Sequence, residues 1–142
     1  MKTIETRDGY AVFYPITTRW SDNDLYGHVN NVTYYSYFDT AANRYLIEAG
    51  GLDIHNAEII GVVVESRCNY HSGVAYPQNL EAGLRVDKLG SRSVTYGIGI
   101  FEEGSREASA NGHFVHVFVE RTTNIPVPIP EPIRRALEKI VR

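Results

Sequence analysis

Apolar residues recur with two different periods along this chain, and each change of period marks an element. Ala11 to Trp20 reads as a first strand. Pro15 has no N–H to give to a ladder, which places that strand near a sheet edge or at its own start. From Val32 the period lengthens. Val32, Tyr35, Phe38, Ala42, Tyr45, Leu46 and Ala49 recur mostly three and four apart and stack on one helical face. Gly50-Gly51 stops that helix, as glycines just past a C-terminus do. Ile59 to Tyr70 is the next strand, and its run Ile59-Ile60-Gly61-Val62-Val63-Val64 is apolar on both faces, as in a strand covered on both sides. Leu80, Ala82, Leu84 and Val86 then alternate with Glu81, Gly83, Arg85 and Asp87, a half-buried strand. Val94, Tyr96, Ile98 and Ile100 repeat the period of two, and Ala108 to Glu120 is the last strand. Glu131 to Arg142 suits a short terminal helix with Pro132 in its first turn, while residues 1–10 are polar and expected to be loose.

The order is strand, long helix, four strands, short helix. It predicts an α+β two-layer domain, one apolar-faced helix on a five-stranded antiparallel sheet. One helix cannot cover every strand, so pairing of a sheet edge with a second copy is expected. At 142 residues the chain reads as one domain over 1–142, long enough to bury about two-thirds of its unfolded surface.

Composition excludes several classes. Hydrophobic residues make up 43% and charged residues 22%, the balance of an ordinary globular protein. Fourteen Lys+Arg against 17 Asp+Glu give a net charge of −3, scattered rather than clustered, so no nucleic-acid stripe or basic membrane patch is visible. No apolar run approaches the roughly 20 residues of a membrane span, and the N-terminus lacks the apolar core of a signal peptide. The cytoplasm is the expected compartment. Cys68, the one cysteine, reads as a buried inert thiol on a strand. His113 and His116 fall on opposite faces of the last strand, His55 and His71 stand alone, and no cluster has metal-ligand spacing.

Chemistry concentrates at one place. Asp22-Asn23-Asp24-Leu25-Tyr26-Gly27-His28-Val29, followed by Asn30 and Asn31, puts two carboxylates, a histidine and two amides at the entrance of the long helix. A helix start offers unpaired N–H groups and a partial positive charge. A carboxylate beside such donors could deliver water to, or attack, a carbonyl that they polarise. The bland alternative for Asp24 is an acid that closes a turn, and for Asp22 that role is the stronger one. His28 reads first as a loop-binding residue and second as one that places water. No Gly-rich phosphate loop and no Gly-x-Ser-x-Gly motif occurs, which argues against nucleotide hydrolysis and α/β-hydrolase chemistry.

The stretch Arg19-Trp20-Ser21-Asp22-Asn23-Asp24-Leu25-Tyr26-Gly27-His28-Val29-Asn30-Asn31, with Tyr34-Tyr35-Ser36-Tyr37-Phe38-Asp39 after it, resembles the signature of hotdog-fold thioesterases. The nearest branch is the 4-hydroxybenzoyl-CoA thioesterase-like group, and the element order matches along nearly the whole chain. The resemblance implies a central helix wrapped by the sheet, a homodimer often paired into a dimer of dimers, and an active site at the dimer interface. It implies hydrolysis of an acyl- or aryl-CoA thioester with no cofactor and no metal. Asp24 falls on the catalytic carboxylate, base or nucleophile, and Asn31 on the residue whose backbone N–H polarises the thioester carbonyl. Plant-type acyl-carrier-protein thioesterases share a similar string, with an asparagine two residues after the acid. Tyr26 stands at that position here while His28 matches, a departure that favours Asp24 acting largely alone.

Gly90-Ser91-Arg92-Ser93 resembles the family's coenzyme-binding region, with Ser91, Arg92 and Ser93 offered to phosphates or, equally, to solvent. Glu65, on an otherwise apolar strand, is a second polar candidate for the site, or else a partner for Arg67. Tyr34, Tyr35, Tyr37 and Tyr45 pack the helix, and one or two could line an acyl or aryl pocket. Two rivals share the fold: a hydratase, whose Asp-x-Asn-Pro-x-His spacing is not met here, and a thioester-binding protein without turnover.

Overall fold

A computed structural model describes residues 3–142. A helix, α1 (Thr33–Glu48), lies against an antiparallel sheet of five strands. These are β1 (Val12–Thr17), β2 (Ile59–Tyr70), β3 (Asn79–Leu89), β4 (Ser93–Glu102) and β5 (Ala110–Glu120), in the spatial order β1-β3-β4-β5-β2. A short helix, α2 (Glu131–Glu138), follows. A long central helix wrapped by this sheet is the hotdog arrangement that the resemblance implies.

Alternation does what the sequence predicts. Leu80, Ala82, Leu84 and Val86 of β3 and Val94, Tyr96, Ile98 and Ile100 of β4 share one buried cluster with α1 and with Phe114 and Phe118 of β5. Each fully buried Leu, Ile or Phe contributes about 2 kcal/mol. His116 lies on the same face of β5, 1% exposed, in a hydrogen bond of 3.1 Å between its Nδ1 and the Tyr96 hydroxyl. His113 is on the other face, as the odd spacing requires.

The helix is rotated from the face the spacing predicts. Its buried residues are Tyr34, Tyr37, Phe38, Ala41, Ala42, Tyr45 and Leu46. Val32 and Ala49 fall outside its ends and are exposed, and Tyr35 is half-buried. Tyr34 and Tyr37 replace them because a tyrosine buries its ring and still satisfies its hydroxyl: Tyr37 reaches Asp22, and Tyr34 reaches the Val74 backbone. The glycine stop holds. The Leu52 N–H closes onto the Leu46 carbonyl at 3.0 Å, and Gly51 between them sits at φ 70°, where a side chain would be strained.

The two edges of the sheet differ. β1 is an edge, as Pro15 requires, and of the segment expected to be loose, residues 1–2 lie outside the described residues while 5–10 are tied down. Tyr10 packs against Phe101 and Phe13 on the side of the sheet away from α1, and a Cβ at Gly83 or Gly99 would come within 2.9 Å of its ring. Arg7 pairs with Glu81 at 2.9 Å and lies over the rings of Phe13 and Phe101. An aromatic in a glycine-floored groove outweighs the polarity of its neighbours. β2, the other edge, is apolar on both faces yet uncovered within this chain, with Val63 43% and Val64 59% exposed.

Candidate active site

The loop between β1 and α1 makes two consecutive turns. In the first, a 3-10 turn over Trp20–Asp22, the Asp22 carboxylate is 1% exposed. Its Oδ2 accepts from the Arg19 N–H at 2.9 Å and from the Tyr37 hydroxyl at 2.7 Å; its Oδ1 accepts from the Arg19 guanidinium at 3.0 and 3.1 Å. Burial pushes this carboxyl up, but the Tyr37 hydroxyl and the Arg19 donors outweigh it and hold the group below its ordinary range. Asp22 therefore ties the loop to α1 and is spoken for on both oxygens.

Asp24 begins the second turn. Its N–H donates to the His28 carbonyl at 2.9 Å and its C=O accepts from Gly27 at 3.1 Å, with Gly27 at φ 87° where glycine is strain-free. Oδ1 of Asp24 accepts from the Tyr26 N–H at 2.8 Å, the turn-closing role the residue type allows. Oδ2 takes no hydrogen bond from any described residue. The loop is laced to the segment after β2: Val29 donates to the Val74 carbonyl at 2.8 Å, and Asn23 accepts from the Tyr76 N–H at 3.0 Å.

Between loop and segment lies a cleft of about 340 Å³ lined by Asp24, His28, Val29, Asn31, Tyr34, Tyr70, His71, Ser72 and Gly73. Asp24, His28 and Asn31, the three residues proposed from sequence for chemistry, meet here. Asn31 sits two residues before the first residue of α1, and its N–H donates to no group among the described residues. Its neighbours are occupied: Val32 N–H donates to Asn30 Oδ1 and Thr33 N–H to the Asn30 carbonyl, both at 2.9 Å. The His28 ring lies against Gly73, so closely that a Cβ there would come within 2.8 Å of it.

The remaining candidates are elsewhere. Tyr26 projects from the turn, 89% exposed, outside the cleft lining. Glu65 lies midway along β2 on the face away from α1 and binds His113 at 2.6 Å rather than Arg67. Ser91, Arg92 and Ser93 form the β3–β4 turn. Its carbonyls accept from Ile129 N–H (Ser91) and Phe118 N–H (Arg92), and the Arg134 guanidinium also reaches it. Through Val117, Ser93 is level with Val62, eight residues short of Tyr70 along β2, so about 25 Å separates that turn from the cleft within one protomer. Sequence reasoning missed Tyr70, Ser72 and Gly73 and left His71 as a lone histidine. Nothing local distinguishes them, because only the fold sets the end of β2 beside the helix entrance. Among the described residues no group of three or more His, Cys, Asp or Glu could hold a metal, and no helix is long and apolar enough to cross a membrane.

Comparison with known proteins gives this geometry a family. Residues 26–109 match the thioesterase superfamily, the segment starting two residues after Asp24. The crystal structure of the PA5185 protein from Pseudomonas aeruginosa strain PAO1 superposes with a TM-score of 0.97 at 57% identity, covering 98% of this chain and 97% of that one. A predicted thioesterase from Bacillus stearothermophilus superposes with a TM-score of 0.78 at 26% identity, covering 92% and 96%. A protein of Bacillus subtilis strain 168, YsmA, is 28% identical over 91 residues, 64% of this chain and 61% of its own length. The chain belongs to the thioesterase superfamily, and its fold is the hotdog fold of that family.

Proposed function

We propose that this protein hydrolyses an acyl- or aryl-CoA thioester to the free acid and coenzyme A, with Asp24 as base or nucleophile. The observation that carries the reading is one cleft lined both by Asp24, a carboxylate with an unengaged oxygen, and by Asn31, whose N–H has no partner among the described residues. In the base route Asp24 takes a proton from water, the hydroxide adds to the thioester carbonyl, and the C–S bond breaks to release the thiol. In the nucleophile route the carboxylate adds first, the C–S bond breaks to expel the thiolate and leave an anhydride, and water opens that anhydride, the thiolate taking up a proton. In both, the Asn31 N–H receives the negative oxygen that develops.

The active form is a homodimer in the cytoplasm, paired further into a dimer of dimers. The bare β2 edge supports this, since an uncovered strand with Val63 and Val64 exposed is a template for pairing, whereas Pro15 blunts the β1 edge. Trp20, Leu25 and Tyr26 near Asp24 are exposed apolar residues as well. A two-fold axis at β2 sets the Tyr70 end of one protomer beside the Ile59 end of its partner. The partner's Ser91–Ser93 turn then falls on the same side as the cleft, two strands in, within reach of a coenzyme phosphate.

The test is thiol release from a panel of acyl- and aryl-CoA substrates by wild type and Asp24→Asn. Turnover in wild type and a loss of at least about 10³ in the variant support the reading. Label found in Asp24 after a single turnover in ¹⁸O-water identifies the nucleophile route, with water opening the anhydride at the Asp24 carbonyl. Ligand binding with no turnover by wild type favours the binding protein, and full activity of the variant removes Asp24 from the mechanism.

A further inference from the structure

Asn31 is held from both sides, and three of the four ties are local. Its preceding residue, Asn30, donates its N–H to the Asp22 carbonyl at 2.8 Å and accepts from Thr33 N–H at 2.9 Å. Its following peptide is held by Val32 N–H on Asn30 Oδ1 at 2.9 Å and by the Tyr70 hydroxyl, which donates to the Asn31 carbonyl at 3.0 Å. Tyr70 is 39 residues away in sequence, so this last bond alone ties the Asn31 peptide to the sheet. No apolar packing substitutes for it, because Asn31 and Val32 are both exposed. The Tyr70 ring itself is well placed. It stands on β2 opposite Ala110 of β5 and meets the buried Tyr34 of α1 edge-on, ring centres 5.1 Å apart at 81°. Sheet and helix together set where its oxygen lies.

We propose that Tyr70 is a positioning residue for the oxyanion site, its hydroxyl fixing the peptide that follows Asn31 and so restricting the Asn31 backbone torsions that aim the donor N–H. This rests on the reading that the Asn31 N–H polarises the thioester carbonyl. A donor preorganised before reaction costs no reorientation when charge develops, so the effect falls on kcat rather than on substrate binding. Cys68 and Tyr35 are the hydroxyl's other neighbours. Tyr35→Phe leaves the Asn31 bond in place and serves as the control.

The experiment compares wild type, Tyr70→Phe and Tyr35→Phe as full chains, by ¹⁵N–¹H amide spectra and by steady-state kinetics on the thioester panel. Tyr70→Phe keeps the ring and its contact with Tyr34 and removes only the donor. The Asn31 and Val32 amide signals shift, and kcat falls about tenfold with KM within about twofold. Tyr35→Phe reproduces wild type. Unmoved Asn31 and Val32 signals, or a kcat within about twofold of an active wild type, overturn the proposal alone. A wild type that turns over no thioester overturns the thioesterase reading and with it the catalytic consequence drawn for Tyr70.

Discussion

Asp22 and Asp24 stand two residues apart in adjoining turns, and the structure treats them as opposites. Asp22 is buried, with both oxygens saturated by Arg19 and Tyr37. Asp24 is half-buried, closes its turn with one oxygen, and keeps the other beside a cleft. A carboxylate whose lone pairs are all engaged cannot take a proton from water without surrendering a structural bond. One with an unengaged oxygen can. Satisfaction of hydrogen bonds, not residue type, divides the acid that builds the loop from the acid that can react.

The comparison breaks most visibly at Asp24. Asp24→Asn keeps an oxygen for the Tyr26 N–H, so its urea midpoint stays within about 0.5 kcal/mol of wild type while kcat falls by at least about 10³. An unfolded Asp24→Asn would erase the distinction. Asp22→Ala does the reverse. It strands the Tyr37 hydroxyl and the Arg19 guanidinium, and denaturation by urea registers a loss of about 3 kcal/mol.

Acid sharpens the contrast by separating the buried groups. Burial holds the His116 imidazole down at about 4, so the folded state resists its protonation. As pH falls from 6.5 towards 4 the unfolded chain takes up a proton that the folded chain refuses, and stability drops by about 3 kcal/mol across that window. Asp22, held low, contributes stability above its unfolded range and loses it only at lower pH, as the carboxyl is finally protonated. Urea melts at pH 6.5 and 4.5 therefore read His116, and His116→Phe flattens the difference. The smallest effect is Tyr37→Phe, which removes one of the ties on Asp22 and costs about 1 to 2 kcal/mol in the same assay, with Asp24 chemistry intact.

Much of the fold is legible before any coordinates. Turns at both ends mark β2 as Ile59–Tyr70, and strict alternation marks the buried faces of β3 and β4, though both strands run past the alternating residues at each end. Where local pattern and packing disagreed, packing won. Tyr10, in a polar-looking segment, is buried because Gly83 and Gly99, more than seventy residues on, leave room for its ring. The rotation of α1 follows from Asp22 offering a partner to Tyr37, which no helical spacing announces.

The site divides along the same line. Asp24, His28 and Asn31 are legible because they are close in sequence: a turn signal, two carboxylates and a helix start lie between Asp22 and Thr33, and local chemistry suffices to mark them. Sequence alone thus determines the elements, the single acid-rich turn and the class of chemistry it can support. Which carboxylate is saturated and which keeps an unengaged oxygen, that Tyr70 reaches Asn31, and that the Ser91–Ser93 turn lies at the far end of the sheet were decided only by tertiary structure. The reason is physical: hydrogen-bond saturation and the meeting of residues tens of positions apart depend on how β2 is laid against the entrance of α1, and no period along the chain encodes that contact.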